Sequence, residues 1–182
     1  DKDARAISKS DIKNLVNYGR IKMFLHAESY KGDNVKDDEV TAFLRLATDV
    51  EGHYYEIEVP LKITPSNLTG STGDIQRLVW PLDNEIDVSL NELIGLKSQR
   101  DRENSNEIAR YSRPSNDGKY EFTVKGNPDL SRVVAFMIGV RNPGDASVSP
   151  KSVCIWANEL RVTDFDKTSG WAANARLNTQ LA

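Results

Sequence analysis

Most of the chain alternates between apolar and polar residues with a period of two, as strands with one buried face do. In residues 20–28 the apolar positions on one side are Ile21, Met23, Leu25 and Ala27. Similar patterns predict further strands at 40–49, 55–59, 119–124, 132–141 and 152–162. Gly52 lies between the strands at 40–49 and 55–59, which predicts a hairpin. The run 133–140 is apolar on both faces and is therefore predicted to lie centrally in a sheet.

Two short helices are predicted to interrupt the strands. Apolar residues at i, i+3, i+4 spacing predict the first over residues 10–19, with Gly19 ending it. The sequence Ser-Leu-Asn-Glu at 89–92 has the form of a capping box and predicts the start of the second. The stretch 62–74 is rich in turn residues and the stretch 99–107 is highly charged, so both are predicted to be loops.

Short strands separated by turn residues predict a mainly β domain, an antiparallel β-sandwich with two short helices. A jelly roll is the favoured arrangement, and a strand-rich α+β domain is the alternative. We expect three parts: a polar N-terminal arm at 1–11, the sandwich at 12–165, and a linker with a further strand at 166–182.

Composition narrows the possible chemistry. The 182 residues include 24 Lys and Arg against 27 Asp and Glu, a formal net charge of -3, so we expect no nucleic-acid partner. Two histidines and one cysteine provide too few ligands for a zinc site, no second thiol for a disulfide, and too few residues of the types that form a catalytic triad. We therefore expect neither enzymatic activity nor a cofactor. Cys154 lies in an apolar run and is predicted to be a small core residue.

Exposed aromatic rings form the stacking platforms of carbohydrate-binding modules. The residues that could act in this way are Tyr54, Tyr55 and Trp80. Trp156 lies on an apolar strand and is predicted to belong to the core instead.

A calcium site is the more specific of the metal hypotheses. A hard cation takes several oxygen ligands, and the chain offers carboxylate and amide oxygens for it. It would combine Glu28, or the acidic loop that contains Asp33, Asp37, Asp38 and Glu39, with Asn158 and Glu159 on the last sandwich strand. The alternative is an ordinary solvated surface. His26 and His53 lack a second ligand at a recognised metal-site spacing.

The final segment, Trp171 to Leu181, alternates strictly over 11 residues. Its apolar face includes Trp171, Ala173, Ala175 and Leu177, and its other face carries Asn174, Arg176, Asn178 and Gln180. This pattern fits a strand of an outer-membrane β-barrel that turns its apolar face toward lipid. One more half-buried or edge strand of the sandwich is the alternative. No apolar run reaches the length of a transmembrane helix.

Three adjoining motifs carry a resemblance to a known family. Residues 153–166 read VCIWANELRVTDFD, residues 170–177 read GWAANARL, and residues 180–182 read QLA. They resemble the SprA/Sov family of very large outer-membrane proteins from Bacteroidetes. That family recurrently shows a W-x-N-E-L-R-x-T-D-F-D strand followed by G-W-A-A. The segments YGRIKMF at 18–24 and IGVRNP at 138–143 add to the resemblance.

The resemblance implies the translocon of the type IX secretion system, which exports folded cargo and delivers gliding adhesins. This chain would be a non-catalytic structural or gating domain located at the outer membrane or cell surface. Its partners would be the rest of its own β-barrel, other secretion-system proteins and cargo.

The segment 155–162 is also similar to the last strand of galactose-binding-like jelly rolls. Asn158 replaces the acidic residue often found there, which weakens an inherited calcium or sugar site. A carbohydrate-binding jelly-roll module is therefore the alternative function, ahead of a hydrolase for which no nucleophile and base can be named.

Overall fold

The structure is a computed structural model that describes residues 4–49, 52–103, 106–143 and 149–167. Its elements are β1 (Ala4–Lys13), β2 (Tyr18–Ser29), β3 (Thr41–Ala47), β4 (Tyr54–Pro60), α1 (Thr72–Val79), β5 (Ile86–Ser89), α2 (Leu90–Arg102), β6 (Tyr111–Pro114), β7 (Glu121–Lys125), β8 (Val133–Arg141) and β9 (Val153–Phe165). Short 3-10 turns at Leu82–Asn84 and Leu130–Arg132 complete them.

The strands form two antiparallel sheets, which confirms the mainly β, two-sheet fold predicted from the sequence. The large sheet has six strands in the order β1-β8-β3-β4-β7-β6, and the small sheet has three in the order β5-β2-β9. β3 and β4 form the predicted hairpin, with Leu44 opposite Ile57. β8 lies between β1 and β3, as its apolar run predicted. The jelly-roll arrangement stays a prediction.

The helix predicted at 10–19 is wrong. Residues Ala4–Lys13 form β1 instead and pair antiparallel with β8, with Ile7 opposite Ile138. This strand crosses the predicted division between arm and sandwich at residue 11. The pairing of β1 with β8 stabilises this segment more than a local helix would. A helix here would gain stability only if its apolar face were buried. Ile12 and Val16, on the predicted face, are 68% and 57% exposed.

The first helix of the structure, α1, begins instead at Thr72, at the end of a predicted loop. Ser71 caps it: the Asp74 amide donates to the Ser71 hydroxyl, and the Asp74 carboxylate accepts from the Ser71 amide. This reciprocal pair is a capping box that the prediction missed. A loop composition and a helix cap use the same residue types, which explains the error.

The second helix begins where it was predicted, at Leu90 after the N-cap Ser89, but the Ser89 side chain makes no capping hydrogen bond. α2 continues through Arg102, so the predicted loop at 99–107 is helical in its first part. Arg100 is fully buried because its guanidinium donates to the Gly126 carbonyl and to the Asp101 carboxylate.

The inner faces of the two sheets form one apolar core. In the small sheet the core row is the predicted one, namely Ile21, Met23, Leu25 and Ala27 on β2, each at most 1% exposed. Facing it, the large sheet contributes Leu44, Leu46, Ile57, Val59, Phe122 and Val124. Burying one such aliphatic side chain stabilises a fold by about 1.5–3 kcal/mol.

The large sheet is wider than the small sheet, and α2 covers the excess of its inner face only on the side of β6 and β7. α2 packs against β6 and β7 of the large sheet and against β2 and β5 of the small sheet. Leu93 and Leu96 of this helix are fully buried. Among the described elements no α-helix packs at the opposite side, where Phe136, Ile138 and Val140 of β8 are only partly buried against the core. The sandwich is therefore closed along β6 and β7 and open along β1.

On the outer face of the small sheet, Asp87 joins β5 to β2 through two ion pairs. Its carboxylate accepts from Arg20 Nε at 2.7 Å and from Lys22 Nζ at 3.0 Å, both on β2. Burial alone would raise the pKa of Asp87, but the hydrogen bonds from Arg20 and Lys22 outweigh it and lower that pKa. A lowered pKa in the folded state means that ionised Asp87 stabilises the fold.

We expect Asp87→Asn to lower the free energy of unfolding by about 1 kcal/mol near neutral pH. The contribution is present above the ordinary carboxyl pKa of 3.8 and is lost as the pH falls through the lower folded value. Urea unfolding should therefore show a difference from the wild type at neutral pH that disappears at about pH 2.

The exposed Asp83→Asn serves as the matched control, with no difference expected at either pH. A stability loss for Asp87→Asn that is the same at both pH values would show that packing, not charge, is the cause.

Candidate interaction surfaces

A buried ion cluster lies on the outer face of the large sheet, centred on Glu56 of β4. Glu56 is fully buried. Its Oε2 accepts from Arg45 Nε at 2.8 Å, and its Oε1 accepts from Arg110 Nη2 at 2.9 Å and Arg141 Nη2 at 3.0 Å. Arg141 also donates to Glu58. These residues come from β3, β4, β8 and the segment before β6, so the cluster joins three strands and a loop.

Aromatic rings pack against two guanidinium groups of the cluster. The Arg45 guanidinium lies 4.0 Å from the centre of the Tyr54 ring, and that of Arg141 lies 4.7 Å from the Phe43 ring. Such stacking favours a cation over an aromatic face. The Glu58 carboxylate is also satisfied by the Thr41 hydroxyl at 2.6 Å. The carboxylates of the cluster thus have their partners within the fold, so the cluster holds the strands together and is not an open binding site.

We expect Glu56→Gln to reduce the free energy of unfolding by about 2–3 kcal/mol. Removing the charge weakens three charge-assisted hydrogen bonds at once: Arg141 keeps Glu58, but the partly buried Arg45 loses its only carboxylate among the described residues. Denaturant unfolding measures the effect.

Glu121→Gln on β7 is the matched control, since Glu121 is exposed and makes no ion pair with another described residue. Equal stability of the Glu56 and Glu121 variants would contradict the structural role of the cluster.

The three predicted carbohydrate-stacking residues do not share a surface. Tyr54 is 6% exposed beneath Arg45, and Tyr55, its neighbour on the strand, is 2% exposed in the core on the other face. Burial raises the pKa of the Tyr55 hydroxyl to about 12, and this hydroxyl donates to the Pro128 carbonyl. Trp80 is half-buried at the end of α1. Two of the three rings therefore have no free face for a sugar.

An aromatic stripe on the outer face of the small sheet consists of Trp80, His26 and Trp156. The prediction that Trp156 lies in the core is wrong, because it is 60% exposed on the edge strand β9. It lies directly across from His26 on β2, and the His26 ring centre is 5.9 Å from that of Trp80.

His26 of this stripe also binds the end of α1. Its Nδ1 is 2.9 Å from the Val79 carbonyl oxygen and 3.0 Å from the Thr64 hydroxyl, which itself donates to the Leu78 carbonyl. Both neighbours of Nδ1 are therefore acceptors, so this nitrogen carries the hydrogen. Cys154 is half-buried and not a full core residue, and its sulfur accepts from the indole nitrogen of Trp156 at 3.2 Å.

The predicted calcium ligands are not brought together. Glu28 lies opposite Cys154, whereas Asn158 lies opposite Phe24, four residues away from Glu28 along β2. Glu159 occupies the bulge of β9 with a φ of 54° and binds Arg161 at 2.7 Å. Among the residues that the structure describes, no group of three or more His, Cys, Asp or Glu side chains is arranged to hold a metal ion.

The residues predicted to face lipid, Trp171, Ala173, Ala175 and Leu177, lie outside the described residues. In the part of the chain that the structure covers, no helix combines the length and apolarity needed to cross a membrane.

The open side of the sandwich contains a cavity, which we call the open groove. Its volume is about 660 Å³. Apolar side chains from both sheets line it: Ile7, Leu15, Tyr18, Ile21, Phe136, Ile138, Leu160 and Val162. Charged residues at its rim are Lys9, Asp11, Lys13 and Arg161. No local pattern in the sequence indicates the groove, because the groove depends on which strands lie at the edges of the sheets.

These features define an antiparallel two-sheet β domain in which the buried charges of Glu56 and Arg141 are paired within the fold. The chain matches the model of the SprA_N family, described as motility related/secretion protein, over residues 1–182. It therefore belongs to that family, as the motifs at 153–166 and 170–177 indicated. A search of curated proteins gave no match.

Proposed function

We propose that this chain is a non-catalytic structural domain of an outer-membrane protein-secretion translocon, of the type IX system that also supports gliding. Membership of a motility and secretion family supports the general role. The translocon role rests on the motifs of the last strand and on the way the chain leaves the sandwich. Its partners would be the rest of its own barrel, other secretion-system proteins and cargo.

The observation that carries the proposal is the fixed exit of the chain from the sandwich. β9 pairs with β2 from Val153 to Phe165, the full length of the strand. Beyond it, the Asp166 amide donates to the Asn17 carbonyl at 2.8 Å, and the Tyr18 and Phe165 rings meet edge to face at 5.2 Å. A segment that follows such an exit starts from a fixed position. This geometry suits a domain that is attached to a barrel wall through the strand predicted at 171–182.

The pairing of buried charges supports a non-catalytic role. Glu56, Arg100 and Arg141 are at most 5% exposed, and each is bonded to partners within the fold. Catalytic groups are instead directed into a cavity and available to substrate. The open groove is lined mainly by apolar side chains.

We expect Gly19→Ala in the full-length parent protein to lower cargo export and gliding several-fold. A Cβ at Gly19 would lie 2.8 Å from the Asp164 Cβ, so the end of β9 must shift and the exit loses its fixed position. Export of a reporter cargo and colony spreading in the native bacterium measure the effect. Increased sensitivity to a large antibiotic would add a gating role to the structural one.

Gly95→Ala is the matched control, since a Cβ there meets nothing within 4 Å. Both variants are compared at equal amounts of the parent protein in the outer membrane. Normal export by a Gly19→Ala protein whose β9 end has become sensitive to protease would contradict the proposal.

A carbohydrate-binding module is the second candidate, and the aromatic stripe favours it. Trp156 is the more exposed of the two tryptophans with a described position. It lies across from His26, whose ring in turn contacts that of Trp80. This candidate predicts glycan binding that is lost in Trp156→Ala and kept in Tyr30→Ala, whose ring is 51% exposed on the loop after β2. A glycan array measures both. An array without any bound glycan for the wild-type chain would reject this candidate and leave the first unaffected.

A further inference from the structure

The two helices of the domain are held in different ways. α2 buries Leu93 and Leu96 completely, whereas every residue of α1 stays at least partly exposed. Ile75, Leu78 and Val79 nevertheless give α1 an apolar face at i, i+3, i+4 spacing, and Leu78 is 41% exposed. An isolated helix of eight residues is not stable in water. The existence of α1 therefore depends on contacts that the rest of the domain makes with it.

Hydrogen bonds from two side chains hold the C-terminal end of α1. The Thr64 hydroxyl donates to the Leu78 carbonyl at 3.1 Å, and His26 Nδ1 donates to the Val79 carbonyl at 2.9 Å. Carbonyl groups in the last turn of a helix have no partner within the helix, so donors from elsewhere stabilise its end. The rings of His26 and Trp80 also contact each other. His26 and Thr64 are both buried, so water does not compete freely for these bonds. We call the two donors, His26 and Thr64, the latch.

The segment that carries α1 begins and ends at nearly the same place. Asn84 is fully buried, its side-chain oxygen accepts from the Lys62 amide at 2.7 Å, and its side-chain nitrogen donates to the Lys62 carbonyl at 2.8 Å. In addition, the Thr64 amide donates to the Ala27 carbonyl of β2 at 2.8 Å. Residues 65–81 thus form a loop whose ends are fixed close to each other. This loop can move away from the sheet without breaking the pairing of β2 with β5 or β9.

We propose that residues 65–81 are a flap, held closed by the latch, which opens as a unit while the sandwich stays folded. Opening breaks the two bonds of the latch and the contact between the His26 and Trp80 rings. Because Trp80 belongs to the flap, the aromatic stripe of Trp80, His26 and Trp156 is complete only in the closed state. A ligand that contacts the whole stripe would therefore favour closure. The flap rests on the described contacts alone and does not depend on the translocon role.

The test is amide hydrogen exchange of the 182-residue chain, followed residue by residue in low concentrations of urea. The Ile75 and Trp80 amides, which donate to carbonyls within the flap, should exchange at least about a hundredfold faster than the hydrogen-bonded amides of β2, after correction for intrinsic rates. Their exchange should depend little on urea, because opening of the flap exposes little new surface. Exchange of the β2 amides should instead rise steeply with urea, because these amides are exposed only when the sandwich unfolds.

Variants of the latch test what holds the flap closed. His26→Ala removes one donor and should raise the ratio of α1 to β2 exchange rates about tenfold. His26→Asn should return the ratio most of the way, because its side-chain amide can donate to the Val79 carbonyl in place of Nδ1. His53→Ala is the matched control, since His53 lies in the hairpin between β3 and β4 and pairs there with Asp49. It should leave the ratio unchanged.

Two results would overturn the proposal. The first is exchange of the α1 amides at the same rate and with the same urea dependence as the β2 amides, which would show that α1 leaves the sheet only when the sandwich unfolds. This measurement uses the wild-type chain and so does not require a variant to fold. The second is an unchanged ratio in His26→Ala, which would show that His26 does not hold the flap. Neither result would bear on cargo export by the parent protein.

Discussion

The packing of β2 against the large sheet is the contact on which the rest of the structure depends. Its inner row, from Ile21 to Ala27, is excluded from water and faces the centre of the six-stranded sheet. β2 also holds β5 at one edge and β9 at the other, and His26 on its outer face receives the end of α1. β2 is therefore the central strand to which both other strands of the small sheet are bonded, while β5 and β9 add Ile86, Val88 and Val162 to the core. Because the small layer is only three strands wide, the position of β2 also decides which part of the large sheet is left uncovered.

Strands with strong alternation were predictable, and elements decided by distant partners were not. The alternation at 20–28 reflects a buried face that is needed in any sandwich, so a local pattern was enough. β1 has a weak pattern and becomes a strand only because β8 offers it an edge, with Ile7 opposite Ile138 far along the chain. α1 was missed for a different reason: Ser71 and Asp74 are turn residues by composition but cap a helix by geometry.

The functional surfaces were less predictable than the fold. The charges of Arg45 and Glu56 were visible on two predicted strands, but their partners Arg110 and Arg141 come from elements whose neighbours the sequence does not specify. Trp156 was assigned to the core because its neighbours are apolar, whereas its strand is at an edge and turns the ring outward. Exposure depends on the order of strands within a sheet, and this order is not a local property of the sequence. The family motifs were recognisable for the opposite reason, since they are contiguous in the chain.

The strand order also has a consequence for when the domain folds. The first strand pairs with the eighth and the second with the ninth, so both sheets need residues from the two ends of the described chain. Such long-range pairing slows folding, because the entropy of closing long loops is lost before the contacts form. Until the segment that ends at Phe165 is available, β2 lacks one neighbour and the core is incomplete. The sandwich can therefore close completely only after its last strand has been synthesised.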